Sequence, residues 1–215
     1  MFRNRKGAIF DLDGTLLDSM GVWRRIDEEF LGKRGFEVPE DYLVAITSKH
    51  FESAAVYTKE RFQLPETVQE IIAEWFSMAE KMYATQVGLK PGVRRYLQTL
   101  KKQGIRMAVA TSSDQRLYAP CLKHWGIYDF FEVFTHTEDV ARGKGYPDVY
   151  QEAARRLSLM PAECVVYEDI LKGVQGAKMD KFYVVGVEDV HSAYEKADIM
   201  QTADRYITAW SELLG

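Results

Sequence analysis

Cysteine is nearly missing from this chain. Cys121 and Cys164 are the only two in 215 residues, far apart and each set among apolar neighbours. A disulfide framework is unsupported, and two reduced, packed thiols in a cytoplasmic protein are expected instead. A basic excess is also missing: 28 lysines and arginines face 32 acids, the net charge is −4, and the two signs are mixed along the chain. That balance lacks the footprint of a nucleic-acid binder. No apolar run is long enough to cross a bilayer, and the run in "MFRNRKGAIF" meets Asp11 too soon for a signal peptide. Neither nucleic acid nor membrane is therefore an expected partner. There is no internal repeat, no low-complexity tract and no Walker-type phosphate loop. His50, His124, His136 and His191 show no metal-pair spacing.

What is present is a composition with 47% hydrophobic and 28% charged residues, enough for a sizeable core and against disorder. Five short apolar runs, at 7–11, 106–111, 132–135, 164–168 and 182–187, suit strands covered on both faces. Helical patterns alternate with them. Val93, Tyr96, Leu97 and Leu100 share one helix face, as do Tyr150, Ala153, Ala154 and Leu157 behind Pro147. The expectation is an α/β, Rossmann-like, parallel five-stranded core sheet.

Residues 18–87 break the alternation and read as helix after helix, at 19–32, 40–47, 50–62 and 66–85. Val68, Ile71, Ile72, Trp75, Phe76, Ala79, Met82 and Tyr83 form a stripe that an internal bundle accounts for, so a monomer is favoured. An all-helical cap domain over 18–87, inserted into a core domain of 1–17 and 88–215, is the predicted organisation. Rooted after the first strand, such a cap is expected to sit above the sheet's carboxyl rim.

In open α/β sheets ligands bind beyond the carboxyl ends of the strands. Asp11 and Asp13 follow the first strand, Thr111 and Ser112 close the second, Glu168 and Asp169 close the fourth, and Lys144 precedes the helix leading to it. Four carboxylates on one rim repel one another unless a cation is present; a unit pair about 4 Å apart is worth roughly 4 kcal/mol at an effective dielectric of about 20. Oxygen-only ligands select a hard ion, and Mg2+ fits. Lys144 and the Thr111 hydroxyl add a cation and a donor, a mixture suited to a phosphate. One aspartate can then attack phosphorus, while the second protonates the leaving oxygen and later deprotonates water.

"DLDGTLLDS" (11–19), "VATSS" (109–113), "GKGYPDVY" (143–150) and "VVYEDILKGVQGAK" (165–178) resemble, in order and spacing, the four motifs of the haloacid dehalogenase-like hydrolase superfamily. The phosphatase and β-phosphoglucomutase-like branch, with its helical cap after the first strand, is the most similar. The resemblance spans almost the whole chain. It implies Asp11 as nucleophile and Asp13 as general acid/base. Thr111 and the Ser112 backbone N–H would bind the phosphoryl group, and Lys144 would pair nucleophile and phosphate. Asp11, Asp169 and the Asp13 carbonyl would hold Mg2+, with Glu168 as a further acidic ligand. Gly14 and Thr15 would allow and brace the turn.

Gly173 and Gly176 are expected to let their helix lie close to the sheet. In the cap, Met20, Trp23, Arg24, Lys49 and His50 are candidate contacts to a small-molecule phosphorylated substrate. Where the mutases carry a histidine ten residues past the acid/base aspartate, this chain has Trp23, and a basic cap residue after a glycine is blurred in "ITSKHFES". Hydrolysis is therefore expected over a β-phosphoglucomutase-like phosphohexomutase. Asp13, Gly14 and the acidic motif have no use in carbon–halogen displacement, which sets a dehalogenase aside. A non-catalytic phospho-ligand binding protein stands as the alternative from another class, although no catalytic position is missing.

Overall fold

A computed structural model describes residues 5–47 and 51–214. It divides into two compact units, Met1–Ser19 with Val87–Gly215, and Met20–Gln86. In chain order the strands are β1 Gly7–Phe10, β2 Leu17–Asp18, β3 Gly88–Leu89, β4 Arg106–Thr111, β5 Val133–His136, β6 Cys164–Glu168, β7 Tyr183–Val187 and β8 Arg205–Ile207. The α-helices are α1 Gly21–Gly32, α2 Glu40–Thr47, α3 Phe51–Phe62, α4 Val68–Thr85, α5 Val93–Lys102, α6 Gln115–His124, α7 Asp148–Arg156, α8 Leu171–Lys178 and α9 Lys196–Thr202.

The first unit is built on a six-stranded sheet of order β5-β4-β1-β6-β7-β8, every pairing parallel. The sequence predicts five of these strands. The sixth, β8, has only three residues and occupies an edge, so it offers no apolar run to read and exists through its pairing with β7. β1 is central and buried throughout. From it the chain runs outward through β4 and β5, then returns to build β6, β7 and β8 on the other side. The strand order thus reverses at β1, the switch point where open sheets of this kind form a ligand crevice.

Alternation along the strands sorts the core into two layers. On one face Ile9, Ala108, Ala110 and Val166 pack with Val149, Tyr150, Ala153, Ala154 and Leu157, and with Val174 and Ala177. On the other, Phe10 stacks on Tyr167 at 4.6 Å between centroids, and Trp210 packs against both and against Tyr96. Both cysteines are free and buried. The short β2 and β3 pair antiparallel, tying the chain after β1 to the chain before α5.

The helical unit buries Val22, Ile26, Phe30 and Leu31 of α1 and Ile71, Trp75, Met78, Ala79, Met82 and Tyr83 of α4. Phe30 and Phe51 both meet the Trp75 ring edge-on, at 5.6 and 5.7 Å. α4 starts at Val68 because Thr67 and Glu70 form a reciprocal capping box. α1 starts at Gly21; Ser19, a good capping residue, has its hydroxyl engaged elsewhere, and Met20 makes no side-chain cap. Among the described residues no helix is long and apolar enough to cross a membrane.

Candidate active site

β1 delivers Asp11 to the carboxyl rim. Its amide still donates to the Tyr167 carbonyl at 3.1 Å, and the residue is 4% exposed. The chain then folds back sharply, with the Leu12 carbonyl accepting from the amides of Thr15, Leu16 and Leu17. Gly14 adopts φ 83°, and a Cβ there would overlap the Asp169 carboxylate, so the position needs glycine for both the turn and the close approach. The half-buried Asp13 accepts a hydrogen bond from the Ser19 hydroxyl at 2.5 Å. The buried Thr15 hydroxyl donates to Asp169 Oδ1 at 2.9 Å. The first loop therefore braces the acid that follows β6 directly.

β6 ends in Glu168, fully buried, followed by Asp169 at 2% exposure. Lys144, buried on the loop before α7, is bonded to Asp11 and lies 2.8 Å from Glu168 Oε1. The Tyr150 hydroxyl donates to the same oxygen at 2.7 Å. α8 approaches so closely that a Cβ at Gly176 would overlap the Lys144 carbonyl, and one at Gly173 would overlap the Glu168 carboxylate. Its glycines thus make room for the Lys144 loop and the Glu168 carboxylate, where the sequence leads us to expect the sheet. Thr111 is buried at the end of β4, and its Oγ1 accepts from the Ser113 amide at 3.0 Å, so the hydroxyl proton is left to donate. Ser112 is exposed beside it, and Asp114 caps α6 through the Arg116 amide.

Asp11, Lys144, Glu168 and Asp169 are brought together; Thr111 closes the next strand with Ser112 just past it, and Asp13 turns to Ser19. In the helical unit, Met20 precedes α1, Trp23 meets the Phe51 ring edge-on at 5.5 Å, and the exposed Arg24 pairs with Glu28 and Glu40. Lys49 and His50 lie outside the described residues. Sequence reasoning missed Ser19, Tyr150 and the Gly173 contact with Glu168. Ser19 was visible as a hydroxyl six residues past Asp13, but loop geometry alone chooses its partner. Tyr150 read only as one position of an apolar helix face.

The electrostatics ask for positive charge. Three buried carboxylates meet one ammonium, and carboxylate oxygens of Asp11, Glu168 and Asp169 lie within 4.8 Å of one another. Burial is the main cause of a raised Asp11 pKa, about 6; Lys144 opposes it and Glu168 adds to it. Asp169 is held well above the usual carboxylate range, by burial and then by the charges of Asp11 and Glu168. Burial alone would lower the Lys144 pKa, but Asp11 and Glu168 overcome it and keep the ammonium above the ordinary lysine range. Glu168 Oε2, buried, has no hydrogen-bond partner. An oxygen-only donor set with surplus negative charge and an orphaned carboxylate oxygen fits a hard divalent cation.

The model of one family, haloacid dehalogenase-like hydrolase, matches residues 8–187. The chain belongs to this family. Hexitol phosphatase A of Escherichia coli is 35% identical over 185 residues, covering 85% of this chain and 82% of that protein. The bifunctional riboflavin kinase/FMN phosphatase of Arabidopsis thaliana is 30% identical over 203 residues, 94% of this chain; the match spans only 52% of that longer protein. Crystal structures of CbbY from Rhodobacter sphaeroides, one in complex with phosphate and a mutant with xylulose-(1,5)bisphosphate, superpose with a TM-score of 0.80. They are 25% identical, over 97% of this chain and 96% of theirs. Within its family the chain sits among phosphatases.

Proposed function

We propose that this family member is a magnesium-dependent phosphatase that hydrolyses a phosphomonoester of a small, sugar-phosphate-like metabolite through an aspartyl-phosphate. The observation that carries the reading is the buried meeting of Asp11, Glu168 and Asp169, with Lys144 bonded to the first two. These three acids and the Asp13 carbonyl would hold the ion, which when bound offsets the repulsion between a carboxylate nucleophile and phosphoryl oxygens.

In the first half-reaction a carboxylate oxygen of Asp11 attacks phosphorus. The bond from phosphorus to the ester oxygen breaks, and Asp13 gives its proton to the departing alkoxide. In the second, Asp13, now ionised, takes a proton from water as that water's oxygen attacks the same phosphorus. Inorganic phosphate leaves and Asp11 is regenerated. Lys144 supplies fixed positive charge beside Asp11, while the Thr111 hydroxyl and the Ser112 N–H grip phosphoryl oxygens.

We assign residues 18–87 to a helical cap domain, and 1–17 with 88–215 to an α/β core domain. In the cap Met20, Trp23, Arg24, Lys49 and His50 read the organic part of the substrate and exclude water. The cytoplasm, where Cys121 and Cys164 stay reduced, is the assigned compartment. The named activities of the hexitol and FMN phosphatases, and the phosphate and bisphosphate complexes of CbbY, support a small phosphorylated substrate.

The test is a panel of sugar phosphates, phosphoglycolate and nucleotides, assayed for both phosphate release and isomerisation. Phosphate is expected without isomer; isomer in excess of phosphate would indicate a mutase. On p-nitrophenyl phosphate, chelation by EDTA should abolish turnover, and Asp11→Asn should lower kcat by on the order of 10⁴ or more. Magnesium-dependent turnover retained by Asp11→Asn would refute the nucleophile.

A further inference from the structure

Tyr150 closes the segment that bears Lys144 and enters α7 with its side chain fully buried. Its hydroxyl donates to Glu168 Oε1 at 2.7 Å, and Lys144 Nζ reaches that same oxygen at 2.8 Å while bonded to Asp11. Two donors thus converge on one oxygen of a carboxylate that has no solvent exposure. The other, Oε2, has no hydrogen-bond partner. On the α8 side Gly173 gives the carboxylate its space, since a Cβ there would overlap its carbon and Oε2. A buried carboxylate oxygen without a partner is costly, and an ion can complete it.

We propose that Tyr150 is a positioning residue for the cation site: with Gly173 it fixes the Glu168 carboxylate so that one oxygen is consumed by protein donors and the other keeps its lone pairs for the divalent ion. The inference rests on the functional reading above. A phenol suits the task better than a second lysine would. A phenol carries no charge, so it orients the carboxylate without cancelling negative charge that the ion needs.

The experiment titrates MgCl2 into the full, metal-stripped chain by calorimetry. Tyr150→Phe keeps the ring in its packing and removes only the donor, and Mg2+ affinity is expected to fall about 10–100-fold. Tyr96→Phe, which deletes a buried hydroxyl paired with Tyr167 in the aromatic layer, is expected to leave it unchanged. In a Glu168→Gln background the Tyr150→Phe effect should vanish, because the tyrosine acts through that carboxylate. Gly173→Ala, which crowds the same group from the other side, should weaken binding too and decides the matter if Tyr150→Phe does not fold. Unchanged affinity in Tyr150→Phe, or an undiminished loss in the Gln background, would overturn the assignment. Failure of the unaltered chain to bind Mg2+ would overturn the functional reading itself.

Discussion

Single hydroxyls decide how the acids of this site are held. Thr15 holds Asp169, Tyr150 holds Glu168 and Ser19 holds Asp13. The last contact has a kinetic consequence. An acid that protonates a leaving group matters most when that group is a poor one. Ser19→Ala, by loosening Asp13, is expected to lower kcat/KM for an alkyl phosphate by about 10–100-fold while p-nitrophenyl phosphate, whose phenolate leaves unaided, loses about threefold or less. Steady-state kinetics on the two esters would check this, and equal losses would remove Asp13 from the protonating role. The acids were legible in the sequence because charged residues directly after buried strands have few other uses, and Lys144 was legible only through its place in the motif "GKGYPDVY". The hydroxyls of Ser19 and Tyr150 were not, since each has an ordinary role, helix cap and helix core, that the sequence alone satisfies.

Elements were legible in proportion to their length. The stripes on α4 and α5 announce themselves over several turns, whereas β2, β3 and β8 have two or three residues and exist only through their partners. Pattern also hides polar residues inside a helix. Asp27 on α1 is 7% exposed and accepts from the Tyr42 hydroxyl at 3.1 Å; Tyr42 in turn lies 2.9 Å from the Thr58 hydroxyl, which donates to the Ala54 carbonyl. Thr58 has spent its proton, so Tyr42 can serve Thr58 or an ionised Asp27 but not both. A proton on Asp27 completes the chain. Burial, partly opposed by the Tyr42 hydrogen bond, accordingly raises its pKa from 3.8 to about 6. Because the folded state binds this proton more tightly, the stability it contributes is full below about pH 4 and is lost as pH rises to about 6. Asp27→Asn can make the same bonds at any pH. It is expected to match the unaltered chain near pH 4 and to exceed it by on the order of 2–3 kcal/mol above pH 6. Urea unfolding across that range would show it, and a pH-independent difference would count against the network.

At the scale of the whole molecule, surplus negative charge in the core unit links ion binding to folding. A ligand bound only by the native state adds RT ln(1 + [L]/Kd), about 2.7 kcal/mol at a hundredfold excess over Kd, or roughly 5–10 °C in Tm for a chain of this size. Mg2+ should therefore raise the melting temperature, EDTA should reverse the rise, and Asp169→Ala should be indifferent to both; calorimetric scans would check it. The sheet order carries a further consequence. Because both neighbours of β1, β4 and β6, lie far downstream in the chain, Asp11 waits for Lys144, 133 residues later, and Thr15 for Asp169, 154 residues later. Loops of that span close late and slowly. A growing polypeptide on the ribosome would thus carry Asp11, the proposed nucleophile, without its partners until most of the protein had been synthesised.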